Sequence, residues 1–373
     1  MLEVLSIRHL NVLSITSLTF CQLISIIKIQ MKINKERRQF LKKTFKIGGG
    51  ICASTIIGRS VMDYASCISW GGETITINPS VVVIARDDSI LAETGNLKEN
   101  IVSALLHKAV MQLTNAPSQE KGWQALFKPD DVVGIKLNCL SGKTMSPHVT
   151  VVESVLQGLK FAGVKDNNVI VFERFNRELE TAGFRVRHMT EGVKCFGTDE
   201  LPGGGYESEL QFAGSVGTCF SKIVSHLCTA IINVPVMKDH DLAGISVAMK
   251  NFFGVIHNPN KYHGNNCNPF IAELNTHPYI ADKVRLIVCD ALMAQYNGGP
   301  GYKPQWTWNY NGIILGRDPV ALDRVCHNII EEKRSEMRLP SLKQAKREPR
   351  YISTAATLGL GVDDLSKIKL VHV

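Results

Sequence analysis

From residue 79 onward, short runs rich in Val and Ile recur along the chain, and between them the apolar positions fall three or four apart. The runs at 81–85, 132–137, 169–172, 230–234, 286–289 and 313–315 predict strands. They are continuously apolar rather than alternating, as strands are when both faces of a sheet are covered. Helical spacing appears at 97–113, where Ile101, Leu105, Val110 and Leu113 share a stripe, and at 149–162, which follows Pro147 and stops at Gly163. A third helix starts at Asp318-Pro319, with Asp as N-cap and Pro in the first turn, and runs through Val320, Leu322, Val325 and Ile329.

Strand alternating with helix predicts an α/β fold with a mostly parallel central sheet flanked by helices, built as one unit or as two α/β halves. The Gly-rich stretch 197–217, with Pro202-Gly203-Gly204-Gly205, reads either as an inserted hairpin or as a boundary between halves. The α/β domain is expected over 79–335, with 336–373 as a C-terminal extension packing on it.

Composition adds little to this picture and removes some alternatives. The chain has 373 residues, 45% hydrophobic and 20% charged, which excludes disordered, collagenous and coiled-coil classes. The net charge of +8 looks like a nucleic-acid signal until it is located. Residues 1–60 hold ten Lys or Arg against two Glu, and the other 313 residues hold 32 basic and 32 acidic groups. A neutral body lacks the footprint that phosphate-backbone binding requires, so no nucleic-acid partner is expected.

The basic excess belongs to a leader. Glu36-Arg37-Arg38-Gln39-Phe40-Leu41-Lys42 resembles the twin-arginine export motif at six of seven positions, with Glu36 the departure. A short apolar, Gly-containing stretch (47–61) and small residues near Ala65-Ser66 complete the layout of a cleavable signal. Residues 1–66 are therefore expected to be a twin-arginine (Tat) type signal, with the true start at Met31. The Tat export machinery becomes the expected partner, and the mature chain is expected to be periplasmic or otherwise extracytoplasmic, without stable membrane insertion after cleavage. No later segment approaches 18 consecutive apolar residues.

Ten cysteines matter in such a compartment, since it permits disulfides. Cys21 and Cys52 lie in the leader. None of the ten forms Cys-x-x-Cys, which excludes ferredoxin-type cluster runs, zinc ribbons and thioredoxin motifs. Cys228, Cys289 and Cys326 sit in apolar runs as small core residues, and the sequence selects no disulfide pairing. His257, His263, Cys267 and His277 crowd into 21 residues, but their spacing fits no zinc pattern, and a solvated loop is the simpler reading. The sequence assigns neither a metal nor a cofactor.

Ligands of parallel α/β sheets collect at the carboxyl ends of the strands, so the chemistry is sought just after each run. Lys136 and Asn138 end one strand, pointing the same way by alternation. Lys238 and His240 follow another. Lys250-Asn251 and Gly254 come next on a predicted helix, Asp290 ends a further strand, and Gly298-Gly299-Pro300-Gly301 forms a loop beyond it. Asp318 and Asp323 supply opposing charge. Several cations at strand ends suit an anionic ligand such as a carboxylate or phosphate. His240 is a candidate acid or base, and Lys238 or Lys250 a candidate base or Schiff-base nucleophile once desolvated. The competing reading makes Lys250 and Asp323 members of structural ion pairs and His240 a loop cap.

Pro-x-x-Lys-x-His (235–240), the Gly-containing turn and Ala-Met-Lys-Asn-Phe-Phe-Gly (248–254) resemble the signature of the DUF362 family. The Asp290 segment, the Gly-Gly-Pro loop and Gly-Arg-Asp-Pro-Val-Ala-Leu-Asp (316–323) are similar to its later motifs. The resemblance covers about residues 80–335. It implies a site at Lys238, His240, Lys250 and Asp290, with Asn251, Gly254, Gly299, Asp318 and Asp323 as ligand- or cofactor-binding positions, to which the strand-end reading adds Lys136 and Asn138. It agrees with the twin-arginine leader, which family members often carry. It implies no reaction, and the cluster-binding cysteines of many members are absent from this sequence. Two classes of function remain. One is an exported enzyme acting on a small anionic substrate, and it predicts a closed pocket with shifted ionisable groups. The other is a non-catalytic protein that binds or assembles a metal or redox partner, and it predicts an open groove with unshifted ones.

Overall fold

In the computed structural model, residues 80–92, 96–188 and 191–373 are described. The leader and its twin-arginine motif lie outside them. The order of elements begins β1 (Ser80–Arg86), α1 (Glu99–Thr114), α2 (Gln119–Gln124), β2 (Val133–Lys136), α3 (Val149–Phe161), β3 (Val169–Glu173), α4 (Asn176–Ala182) and β4 (Lys194–Gly197). A small hairpin of β5 (Gln211–Ala213) and β6 (Val216–Thr218) precedes β7 (Ala230–Asn233), β8 (Val236–His240), β9 (Gly244–Ser246) and α5 (Ala248–Asn251). The chain closes with α6 (Phe270–Asn275), α7 (Pro278–Ala281), β10 (Val284–Gln295), β11 (Thr307–Gly316), α8 (Pro319–Glu336), α9 (Tyr351–Thr357) and β12 (Ile368–His372).

Ten of the strands form one sheet, ordered β12-β1-β11-β10-β7-β2-β3-β4, with β8 paired to β10 and β9 paired to β8. Six of its nine pairings are parallel. The fold is therefore α/β with a mostly parallel mixed sheet. Continuous apolar runs become strands covered on both faces. Val82, Ile84, Ile170, Phe172, Ile231, Ile287 and Cys289 pack into one core. Their sequence neighbours Val83, Ala85, Val169, Val171, Ile232, Leu286 and Val288 pack into the other, beneath α1, α2 and α3.

The differences from the sequence expectation have physical causes. In α1 the buried stripe is Val102, Leu105, Leu106, Ala109 and Val110, with Ile101 and Leu113 only partly buried. The 197–217 stretch contains the hairpin strand β5, which pairs with β6 in a separate two-stranded sheet. Residues 236–240, expected as a loop after a strand, are themselves strand β8, in register with β10 at Val236–Asp290 and Lys238–Gln295. Polar side chains on β8 hid that strand from an apolar-run criterion. Beyond residue 336, β12 adds a parallel edge strand beside β1. The seven described cysteines are free, and Cys228, Cys289 and Cys326 are buried core residues. Among the described residues no helix is long and apolar enough to cross a membrane.

Candidate functional site

Register places the carboxyl ends of three strands side by side. Lys136 at the end of β2 pairs with Phe172 of β3 and with Asn233 of β7. Beyond this edge lies a cavity of about 280 Å³. Lys136, Asn138, Lys238, His240, Lys250, Asn251 and Gly254 all line it, although 118 positions separate the first from the last.

Lys136 is committed to the protein itself. Its ammonium lies 2.6 Å from Glu173 Oε1, and both side chains are almost wholly buried. It also donates to the carbonyl of Leu137 and, at 3.4 Å, to Asn251 Oδ1. Glu173 accepts further from the backbone N–H groups of Cys139 and Arg174. Gly254 passes directly over this pair. A Cβ there would come 2.7 Å from Lys136 Nζ and 2.9 Å from Glu173 Oε1, so a larger residue would have to push the buried pair aside. Asn251 completes the floor by donating to Asn233 Oδ1 at 2.7 Å, and Asn233 in turn donates to the carbonyl of Ala248.

Lys238 and Lys250 are different. Lys238 is fully buried and donates only to neutral oxygens, Ser141 Oγ at 2.8 Å, Asn138 Oδ1 at 3.2 Å and the Met145 carbonyl at 3.5 Å. Lys250 Nζ stands 3.4 Å from His263 Nε2 and 4.8 Å from the centre of the Phe253 ring. Neither ammonium has a carboxylate partner within 4 Å among the described residues. Desolvation outweighs the more distant carboxylates, Glu173 and Asp239 for Lys238 and Asp241 for Lys250, and pushes each amine down to about 8.

His240 shares the side of β8 with Lys238 by strand alternation. Its Nδ1 accepts from the backbone N–H groups of Leu242 and Ala243 at 3.1 and 3.2 Å, so the ring proton sits on Nε2. Asp241 Oδ1 is also 3.0 Å from Nδ1, but that side chain is solvent-exposed and the two N–H donors already occupy the nitrogen's lone pair. Burial, then the charges of Lys250, His263 and Lys238, pushes the imidazole down to about 2. His240 is a neutral hydrogen-bonding group here and caps the turn after β8.

The structure does not bring the predicted aspartates into the cavity. Asp290 lies in β10, fully buried, and accepts from His148 N and Nδ1 at 2.7 and 2.8 Å and from Leu292 N at 3.0 Å. It secures the start of α3, and its charge raises the pKa of His148. Asp318 caps α8 through the N–H groups of Val320 and Ala321, as its sequence position predicts, and also binds Ser80 Oγ and Val362 N. Asp323 acts from beneath. Its carboxylate accepts from the N–H groups of Ala248 and Met249 at 2.7 and 3.3 Å and from Tyr351 OH at 3.2 Å, fixing the first turn of α5 that carries Lys250 and Asn251. No ion pair joins Asp323 to Lys250 among the described residues. Gly299 lies behind β8, where its N–H donates to Asp239 Oδ1 and a Cβ would meet the Asp239 carbonyl at 2.1 Å. Its neighbour Pro300 reaches the cavity.

Four ionisable lining residues were not placed at the site by the sequence. Glu173 and Arg174 directly follow the 169–172 run, so the strand-end rule could have found them. Glu178 and His263 carry no such signal. Burial, then the charge of Glu173, raises Glu178 to about 7. Arg174 donates to the carbonyl of His257, while its buried Nε has no partner. Of the crowded histidine loop, only His263 lines the cavity. His257 accepts from Cys219 N, and His277 stacks on Phe220 with ring centres 4.4 Å apart. Among the described residues no three His, Cys, Asp or Glu side chains are grouped to hold a metal ion.

A comparison with curated proteins finds no match. Among solved structures, the chain is similar to a Thermotoga maritima protein determined as a structural genomics target, at 13% identity and a TM-score of 0.40. The alignment covers 65% of this chain and 60% of that one. The family model described as a domain of unknown function, DUF362, matches residues 133–328, from β2 into α8. That span exceeds half of the 373 residues and includes every cavity residue named above. The chain belongs to the DUF362 family.

Proposed function

We propose that the cavity binds a small anion between Lys238 and Lys250, and that the protein is an enzyme acting on it. The observation that carries this reading is the pair of buried ammonium groups lining one cavity without a carboxylate partner within 4 Å among the described residues. A buried charge is costly unless it is paired, and a bound carboxylate or phosphate would supply the pairing. The Nε2–H of His240, which also lines the cavity, is a further donor. Catalysis is favoured over passive binding because Lys238, Lys250 and Glu178 all have pKa values moved toward neutrality. The leader motif supports export by the twin-arginine route, which carries folded proteins, to an extracytoplasmic site of action.

A thermal-shift panel of small carboxylates, phosphate and sulfate tests the binding reading. At least one anion should stabilise the protein, and Lys238→Met and Lys250→Met should each abolish that shift. A panel in which no anion shifts the unsubstituted protein, or in which both variants respond as it does, contradicts the reading.

A further inference from the structure

The geometry points to Lys250 as an amine nucleophile that forms an imine with the carbonyl of a small oxo-acid, with His263 as its proton carrier and Lys238 holding the acid's carboxylate. This deepens the anion-binding reading and rests on it. Three spatial facts assemble the relay. His263 Nδ1 lies 3.0 Å from the carbonyl of Pro259, and a carbonyl can only accept, so Nδ1 carries the ring proton. The lone pair on Nε2 is therefore turned toward Lys250 Nζ, 3.4 Å away. Nucleophile, base and orienting group thus stand in series, as activated nucleophiles require.

The surroundings favour attack. An N–H of the neutral amine donates to His263 Nε2, which leaves the nitrogen lone pair free to face the cavity. Burial against Phe253 removes water, and desolvation keeps a useful fraction of the amine uncharged near neutral pH. The ring of His240 stacks beside that of His263 with centres 5.8 Å apart, which fixes the relay's outer face. Lys238 sits among neutral oxygens and remains the cation for the carboxylate end. The cavity, about 280 Å³, is at the small end of ligand pockets and suits a compact acid.

The step balances without a further reactant. The Nζ lone pair forms a C–N bond to the carbonyl carbon as the C=O π pair moves to oxygen. His263 Nε2 carries one proton from the nitrogen to this alkoxide, giving the carbinolamine hydroxyl, and then carries the nitrogen's second proton to that hydroxyl. That oxygen leaves as water, and a C=N bond forms.

Pyruvate or glyoxylate with cyanoborohydride tests this on the full chain, because reduction makes the adduct permanent and peptide mass spectrometry locates it. One adduct is expected, at Lys250, formed at least tenfold faster than at any surface lysine. His263→Gln should slow trapping by tenfold or more. Lys238→Met should raise the oxo-acid concentration needed for half-maximal trapping while leaving the adduct at Lys250. The location is read in the unsubstituted protein, so a poorly folding variant does not decide the matter. No adduct, an adduct at Lys238, or labelling spread over exposed lysines would overturn the proposal. Lactate cannot form an imine and serves as the control. A Lys238-dependent thermal shift with lactate, without trapping by pyruvate, sinks the imine alone. Absence of both effects with these acids, together with a null panel of anions, sinks the binding reading too.

Discussion

Lys136 Nζ and Glu173 Oε1 form a buried ion pair at 2.6 Å, and that pair divides the three lysines of the cavity into two kinds. Lys136 is neutralised within the fold. Lys238 and Lys250 are not.

The division predicts opposite effects of the same substitution. Lys136→Met leaves Glu173 buried without its cation and should cost about 3–5 kcal/mol, as breaking a buried pair does. Lys238→Met and Lys250→Met keep most of the stem's volume and remove a charge that pays desolvation, so each should be neutral or stabilising. Chemical denaturation of the three variants at pH 7 checks the contrast, and equal losses in all three would contradict it.

The aspartates should affect folding rather than the ligand's own contacts. Asp323→Ala strips acceptors from Ala248 N, Met249 N and Tyr351 OH. It should lose about 2–4 kcal/mol, because a buried donor left unsatisfied costs roughly 1–3 kcal/mol. It should also weaken anion binding by loosening α5. Asp290→Ala should destabilise in a similar range by freeing the start of α3, yet leave anion affinity within about threefold at temperatures where the variant is folded. Loss of binding by a folded Asp290→Ala protein would restore Asp290 to the site.

The pH dependence has a definite sign. Lys238 and Lys250 drop from about 10.5 to about 8 on folding, so between those values the unfolded chain holds protons that the native chain has released. Below about pH 8 each buried ammonium therefore carries its full desolvation penalty, roughly 3 kcal/mol per lysine, and stability rises as that penalty is relieved between about pH 8 and 10.5. Buried thiols such as Cys195 and Cys228, raised by desolvation, pull the other way above about pH 9. The readout is thus the difference between the unsubstituted protein and Lys238→Met or Lys250→Met, measured by urea unfolding at pH 7.5 and 9.5. The variant's stabilising advantage should shrink at the higher pH, and a constant difference would contradict the assignment.

The proposed export rests on residues 37 and 38. Replacing Arg37 and Arg38 together with Lys should retain an uncleaved precursor in the cytoplasm, while translation from Met31 should export normally. Fractionation with an antibody to the body reads both outcomes.

Much of the architecture was legible in the sequence because strands buried on both faces are apolar throughout, as at 169–172 and 230–234. The shared cavity followed from topology, since parallel strands deliver Lys136, Asn138 and the segment after β7 to one edge. What escaped was what pattern does not encode. β8 is a strand whose inward residues, Lys238 and His240, are polar because they face a cavity. Asp290 and Asp323 look like site carboxylates in a motif, but their hydrogen-bond partners, His148 and Ala248, are 142 and 75 positions away in the chain. His263 was legible only as one of a crowd, and its selection depended on the Pro259 carbonyl that turns its ring.

The most direct measurement is the titration of the Lys238 and Lys250 ε-amino groups by NMR of lysine-labelled protein, with assignment by the two Met variants, in the absence and presence of a binding carboxylate. Both should titrate near pH 8 in the free protein and move upward by a unit or more when the anion is bound, since a nearby negative charge favours the ammonium form. Two amines titrating near 10.5, or two depressed values that no anion moves, would contradict the account.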